Sequence, residues 1–156
     1  MQRRIPLVLV LAASLGACAS VRTPIAMDRP PADLTASAAS LYRQYGDALK
    51  AGRRSAIAGF YHPQGALIVF NGVPRRQSRD ELRQQYLTFW SPPDFFEWEG
   101  LTFDSISTSQ VIVTGGFRWK SAGQPDTTRF IYAAVVAAVD SGMAIVFEHE
   151  TVRPPQ

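Results

Sequence analysis

Cysteine occurs once in this chain of 156 residues, at position 18, so no internal disulfide can brace the fold and its stability must come from a core. Histidine occurs twice, at His62 and His149, with no third ligand near either, a poor basis for a zinc or iron centre. A glycine-rich phosphate loop, a serine nucleophile elbow and a dinucleotide fingerprint are all missing, so no cofactor is expected. No apolar run approaches the ~20 residues that cross a bilayer as a helix. Charge of one sign is scarce too: the net charge is +3, and without Arg3 and Arg4 the 16 basic residues fall to 14 against 13 acidic ones. Such a balance lacks the cationic footprint that a nucleic-acid backbone requires. What is present is apolar material, 46% hydrophobic and 11% aromatic residues, enough for one core in one domain.

The N-terminus reads as an export signal: Arg3 and Arg4, an apolar run over 5–15, then Leu15-Gly16-Ala17-Cys18. Leu-Gly-Ala-Cys resembles the lipobox of bacterial lipoproteins, in which the cysteine is lipidated and the chain is cut before it. An ordinary secretory signal with a chance cysteine is the alternative. The resemblance implies a signal peptide over 1–17 and a membrane anchor at acylated Cys18, since several acyl chains hold a protein firmly. It places the protein in the cell envelope facing the periplasm. Ala19, where inner-membrane retention would resemble Asp, favours the outer membrane. Residues 19–33 hold three prolines without apolar periodicity, a tether reaching ~20 Å as a coil.

From position 34 the pattern is that of a folded domain to about 153. Leu34, Ala38, Leu41, Tyr42, Tyr45, Ala48 and Leu49 recur at helical spacing, with Asp33 or Thr35 as cap and Gly52 as stop. A shorter helical piece over 54–61 precedes a turn at His62-Pro63-Gln64-Gly65, and 66–70 is a short strand closed by Asn71-Gly72. Ser78 and Glu81 form a capping box opening a helix whose inner face is Leu82, Tyr86, Phe89 and Trp90. Strands follow over 95–104, 110–120, 127–139 and 143–152, joined by short antiparallel connections. Gly115-Gly116 marks a bend or bulge within one of them. The order predicts an α+β fold with helices on one face of a sheet. Phe130-Ile131-Tyr132-Ala133-Ala134-Val135-Val136 continues apolar to Val139, so both faces of that strand should be covered. A homodimer, or an envelope protein partner, through the outer sheet face is the expectation.

Residues 45–72, the capped helix at Ser78, Phe96-Glu97-Trp98-Glu99 and the closing 144–151 stretch with His149 resemble the nuclear transport factor 2-like superfamily, and within it the SnoaL-like domains. That resemblance implies a cone-shaped α+β fold, three N-terminal helices packed on a curved, mostly antiparallel sheet around a deep pocket. It also implies frequent dimerisation through the sheet, and roles from isomerases and cyclases to binding without catalysis. Related ketosteroid isomerases use a carboxylate just after the first strand as general base and a tyrosine on an early helix as donor. Phe70-Asn71 occupies the base position here, and an amide cannot take up the proton; Tyr42 or Tyr45 could still donate.

If the domain is an enzyme, the acidic and histidine candidates inside the cone are Glu97, Glu99, Glu148 and His149; His149 is favoured because imidazole exchanges protons near neutral pH, with Glu97 or Glu99 brought near it. The competing reading makes His149 a structural hydrogen-bonding residue. Glu148 and Glu150 lie on the opposite strand face from His149, and sequence leaves open which face points inward. Tyr42, Tyr45, Phe60, Trp90, Trp98, Trp119, Tyr132 and His149 are the expected lining of a cavity for a small apolar ligand. Arg75, Arg76, Arg79 and Arg83 form either a solvated rim or a contact for anionic headgroups. The favoured function is ligand or partner binding without assigned catalysis; the alternative is a SnoaL-like lyase, cyclase or isomerase.

Overall fold

The computed structural model describes residues 32–154; the expected signal peptide, Cys18 and most of the tether lie outside the described residues. Helix α1 (Ala32–Lys50) buries Ala38, Leu41, Tyr42, Tyr45, Ala48 and Leu49 along one face, as its spacing required. Asp33 and Thr35, the expected caps, fall within the residues assigned to this helix. A one-turn helix α2 (Arg54–Ile57) runs into a 3-10 turn (Ala58–Phe60). Strands β1 (Ala66–Phe70) and β2 (Val73–Gln77) form a hairpin around Asn71-Gly72. Both turn residues have positive φ, 47° and 80°, the geometry whose twist suits a two-residue hairpin. Helix α3 (Arg79–Thr88) therefore follows two strands, so the three helices are not one N-terminal block.

Ser78 caps α3 with the full capping box: its hydroxyl accepts from the Glu81 amide, and the Glu81 carboxylate accepts from the Ser78 amide at 2.7 Å. Leu82 and Tyr86 are buried, but Phe89 is 82% exposed. The helix ends at Thr88, so Phe89 leaves the inward stripe that continued helical spacing predicted.

Strands β3 (Phe95–Ser105), β4 (Gln110–Lys120), β5 (Thr128–Val139) and β6 (Gly142–Val152) make an antiparallel meander. Strand β1 pairs parallel with β6, giving the sheet order β2-β1-β6-β5-β4-β3. Two irregularities interrupt the ladders. In β3, Gly100 and Leu101 intervene where register passes from Glu99 to Thr102; in β6, Val146 is the extra residue between Ile145 and Phe147. Such bulges bend a strand and raise its twist. Gly115 sits opposite the first, at φ +152°, where an added Cβ would lie 2.9 Å from the carbonyl oxygens of Glu99 and Gly100. The double glycine is the accommodation of a bulge.

The core lies between the helices and one sheet face. Gly46 in α1 lets Trp98 of β3 approach closely, and the indole N–H donates to the Tyr42 carbonyl at 3.3 Å. Trp98 stands against Tyr42, Tyr45, Phe96, Phe117 and Tyr132 with centroids 4.8–6.0 Å apart. Each such pair contributes about 0.5–1.5 kcal/mol beyond its buried area. Among the described residues no helix is long and apolar enough to cross a membrane.

Candidate functional site

Strand β6 decides the site. The Val146 bulge lets Ala144 and Ile145 both be buried and sets Glu148 and Glu150 on the helix-facing side, with His149 on the other. Glu148 is 2% exposed and is the fold's buried charged side chain among the described residues. Three phenols donate to its carboxylate: Tyr61 at 2.6 Å, Tyr132 at 2.7 Å and Tyr45 at 3.4 Å. Tyr42 donates in turn to Tyr132 at 2.8 Å and Tyr86 to Tyr61 at 3.1 Å, while Tyr45, 3.0 Å from the Tyr61 hydroxyl, divides its single proton between that oxygen and Glu148. Four segments supply these tyrosines: α1, the turn after Phe60, α3 and β5. Arg79 donates to the Tyr61 carbonyl, which fixes the backbone behind that phenol and makes this arginine more than a solvated rim.

Burial pushes the Glu148 carboxyl above its ordinary range, and the phenolic hydrogen bonds pull it part of the way back. Glu150 is pushed well up, first by burial and then by the charge of Glu148. Burial and the nearby Glu148 charge raise Tyr45, Tyr61 and Tyr132 as well, so the phenols stay protonated and remain donors. Two carboxyls repelling each other in one apolar chamber hold a proton more readily than separate acids do.

The chamber is a cavity of about 460 Å³, within the usual size of small-molecule sites. Glu148, Glu150 and Tyr61 form polar wall; Trp90, Trp98, Trp119, Phe96, Phe117 and Phe130 form the apolar one. At its edge Gln77 donates to Gln85 at 2.7 Å, and both side chains also border shallower surface grooves.

Of the expected lining, Tyr45, Trp90, Trp98 and Trp119 border this cavity. Tyr42 and Tyr132 do not; they pack behind it, relaying hydrogen bonds to Glu148. Phe60 is packed against Tyr45 with centroids 5.3 Å apart, outside the lining. His149 is corrected most plainly. It lies on the outer sheet face beside Val69 and Ala133, with its Nε2 3.0 Å from the Thr151 hydroxyl. Glu97 and Glu99 also point outward, because Phe96 and Trp98 take the inward positions of β3; they pair with Arg118, and Glu99 with Arg129 at 3.3 Å. The structure therefore does not bring these three residues together in the cavity. Glu148, one of the four expected candidates but not the favoured one, stands at the centre; its signal in the sequence is an acid within an apolar strand. His62 accepts from the Gln64 amide in its turn. Among the described residues no group of three His, Cys, Asp or Glu side chains could hold a metal.

Solved structures share this fold. A protein of unknown function from Shewanella oneidensis, described as NTF-2 like, is 19% identical and superposes with a TM-score of 0.66 over 75% of this chain and 98% of its own. The fold is NTF-2-like. A ketosteroid isomerase-like protein from Erwinia carotovora atroseptica shares the NTF-2-like arrangement at 14% identity, TM-score 0.63, over 80% of this chain and 99% of its own. A Nostoc punctiforme protein of unknown function, described as cystatin-like in fold, is 9% identical, TM-score 0.65, over 80% and 95%. No family model and no curated protein matches the sequence.

Proposed function

We propose that this protein is an exported, lipid-anchored envelope protein whose cone-shaped domain binds a small, largely apolar molecule in the cavity above Glu148. The observation that carries the reading is the cavity itself: about 460 Å³, walled by rings and floored by a tyrosine-held carboxyl. Cores that serve stability alone are filled to crystal-like density. An apolar hollow with a few convergent polar groups is the usual composition of a binding site. The lipobox-like Leu15-Gly16-Ala17-Cys18 supports anchoring in the envelope, with the domain in the periplasm. Native mass spectrometry of the full chain from its own envelope is expected to show an acylated Cys18 and a small molecule retained by the wild type. Loss of that molecule is expected when Trp98→Ala opens the wall. A non-lipidated chain would defeat the anchoring, and an empty domain the binding.

A second reading is favoured by one specific feature: two carboxyls of raised proton affinity beside neutral phenols are an acid-base set. The ketosteroid isomerase-like and scytalone dehydratase names carried by fold neighbours support it. In it Glu148 or Glu150, and not His149, moves the proton, for a lyase, cyclase or isomerase reaction. Solvent deuterium incorporation into a bound enolisable ketone would support it, and its absence would dismiss it.

A further inference from the structure

Two acids face a chamber that offers them no base. Apart from Glu148 and Glu150, every side chain bordering the cavity is aromatic, aliphatic, amide or hydroxyl; none is Lys, Arg or His. We propose that the cavity receives a hydrophobic organic cation, a protonated amine or a quaternary ammonium, with its positive head against Glu150 and Glu148 and its body against the rings. The inference rests on the reading of the cavity as a ligand site and adds the charge of what it takes.

Charge makes the first argument. Glu148 is accounted for by its three phenolic donors. Glu150 faces the same chamber, yet its carboxylate has no hydrogen-bond partner among the described residues. A half-buried carboxylate without donors is a liability that replacement by an apolar residue would remove. A cationic ligand turns that liability into the recognition element. An anion would oppose ionisation of either acid, and a neutral apolar molecule would displace the water left at Glu150 while giving it nothing in return.

The rings make the second argument. Trp90 and Trp119 stand at 65° with centroids 6.0 Å apart, and Phe96 meets Trp119 at 80° and Trp98 at 83°. These rings border the chamber on several sides, and an aromatic ring attracts a cation placed over its face. Phe117 and Phe130, stacked at 4.6 Å, extend the wall. The volume holds far more than a bare metal ion. Around Glu148 the facing groups are Tyr45 of α1, Tyr61, Tyr86 of α3, Tyr132 of β5 and Glu150 of β6. Arg79 donates to the Tyr61 carbonyl, and Arg75 borders the adjoining surface grooves and not the cavity.

The test uses the full chain and benzyltrimethylammonium, a permanent cation, against neopentylbenzene, its neutral carbon isostere. All three tryptophans of the chain border the cavity, so intrinsic fluorescence reports occupancy. At pH 8 the cation is expected to bind at least about tenfold tighter than the isostere, although water expels the isostere more strongly. Because this cation does not titrate, its affinity should rise severalfold as pH climbs and the carboxyls, both raised by burial, ionise. Glu150→Gln should reduce both the preference and the pH dependence severalfold, Glu148 keeping the remainder; should it fail to fold, the wild-type pH series decides alone. Equal or tighter binding of the isostere overturns the cationic ligand and leaves the ligand site standing. Binding of neither overturns both.

Discussion

At the scale of single residues, the pair Glu148 and Glu150 makes the domain sensitive to pH in a definite direction. Both carboxyls are raised by burial, Glu150 further by the charge of Glu148. The folded state therefore binds protons more tightly than the unfolded chain, in which a glutamate titrates near ~4.3. Their contribution to stability is complete below that value and is lost as pH climbs through the folded pKa. Glu150→Gln removes one such group. Urea denaturation at pH 8 is expected to find the variant about 1 kcal/mol or more stabler than wild type, with no gain at pH 4. A profile unchanged by the substitution would deny Glu150 its raised proton affinity. Residue-level reading of the sequence stopped at this pair for a physical reason. Side chains alternate along a strand, so whichever of Glu148 and His149 is inside, the other is out, and a bulge at Val146 shifts the phase between the apolar Ala144-Ile145 and the acids. The phase of a strand belongs to its neighbours' register, which composition does not carry.

Among elements, those with strong local signals stand where the sequence puts them. The seven apolar positions of α1, the capping box of α3 and the four long strands agree with the structure within a few residues. Strand β2 was not legible, because Val73-Pro74-Arg75-Arg76-Gln77 is polar, exposed and carries a proline. Those are the properties of a protected sheet edge, selected against further pairing and therefore against looking like a strand. Asn71-Gly72 was its one signal, a hairpin turn that implied a returning strand. The capping box carries the element-scale prediction. Ser78→Ala removes the acceptor for the Glu81 amide and should cost about 1 kcal/mol by thermal or chemical denaturation. Since α3 supplies Tyr86 and Leu82 to the cavity wall, the same variant should show increased tryptophan exposure to acrylamide.

For the whole molecule, the uncovered side of the sheet is the feature that most constrains its surroundings. Ile112, Val135, Phe147 and Leu67 form one continuous cross-strand row there, followed by Thr114, Ala133, His149 and Val69. Helices cover the opposite face, and no described element covers this one. Continuous apolar surface of that kind marks association, so we expect a homodimer built face to face. Light scattering of the lipid-free domain should give twice the chain mass, and Val135→Arg in the middle of the row should return it to a monomer with its secondary structure intact. A monomeric wild type would count against the dimer.

The parallel seam between β1 and β6 also has a temporal meaning. Tyr61 and the acid it grips are 87 positions apart, and β6 alone joins the early hairpin to the later meander. A chain emerging vectorially holds its phenols ready long before their acceptor arrives. The sheet must wait for its closing strand, and a nascent polypeptide stalled before β6 would hold two sub-sheets with no strand between them.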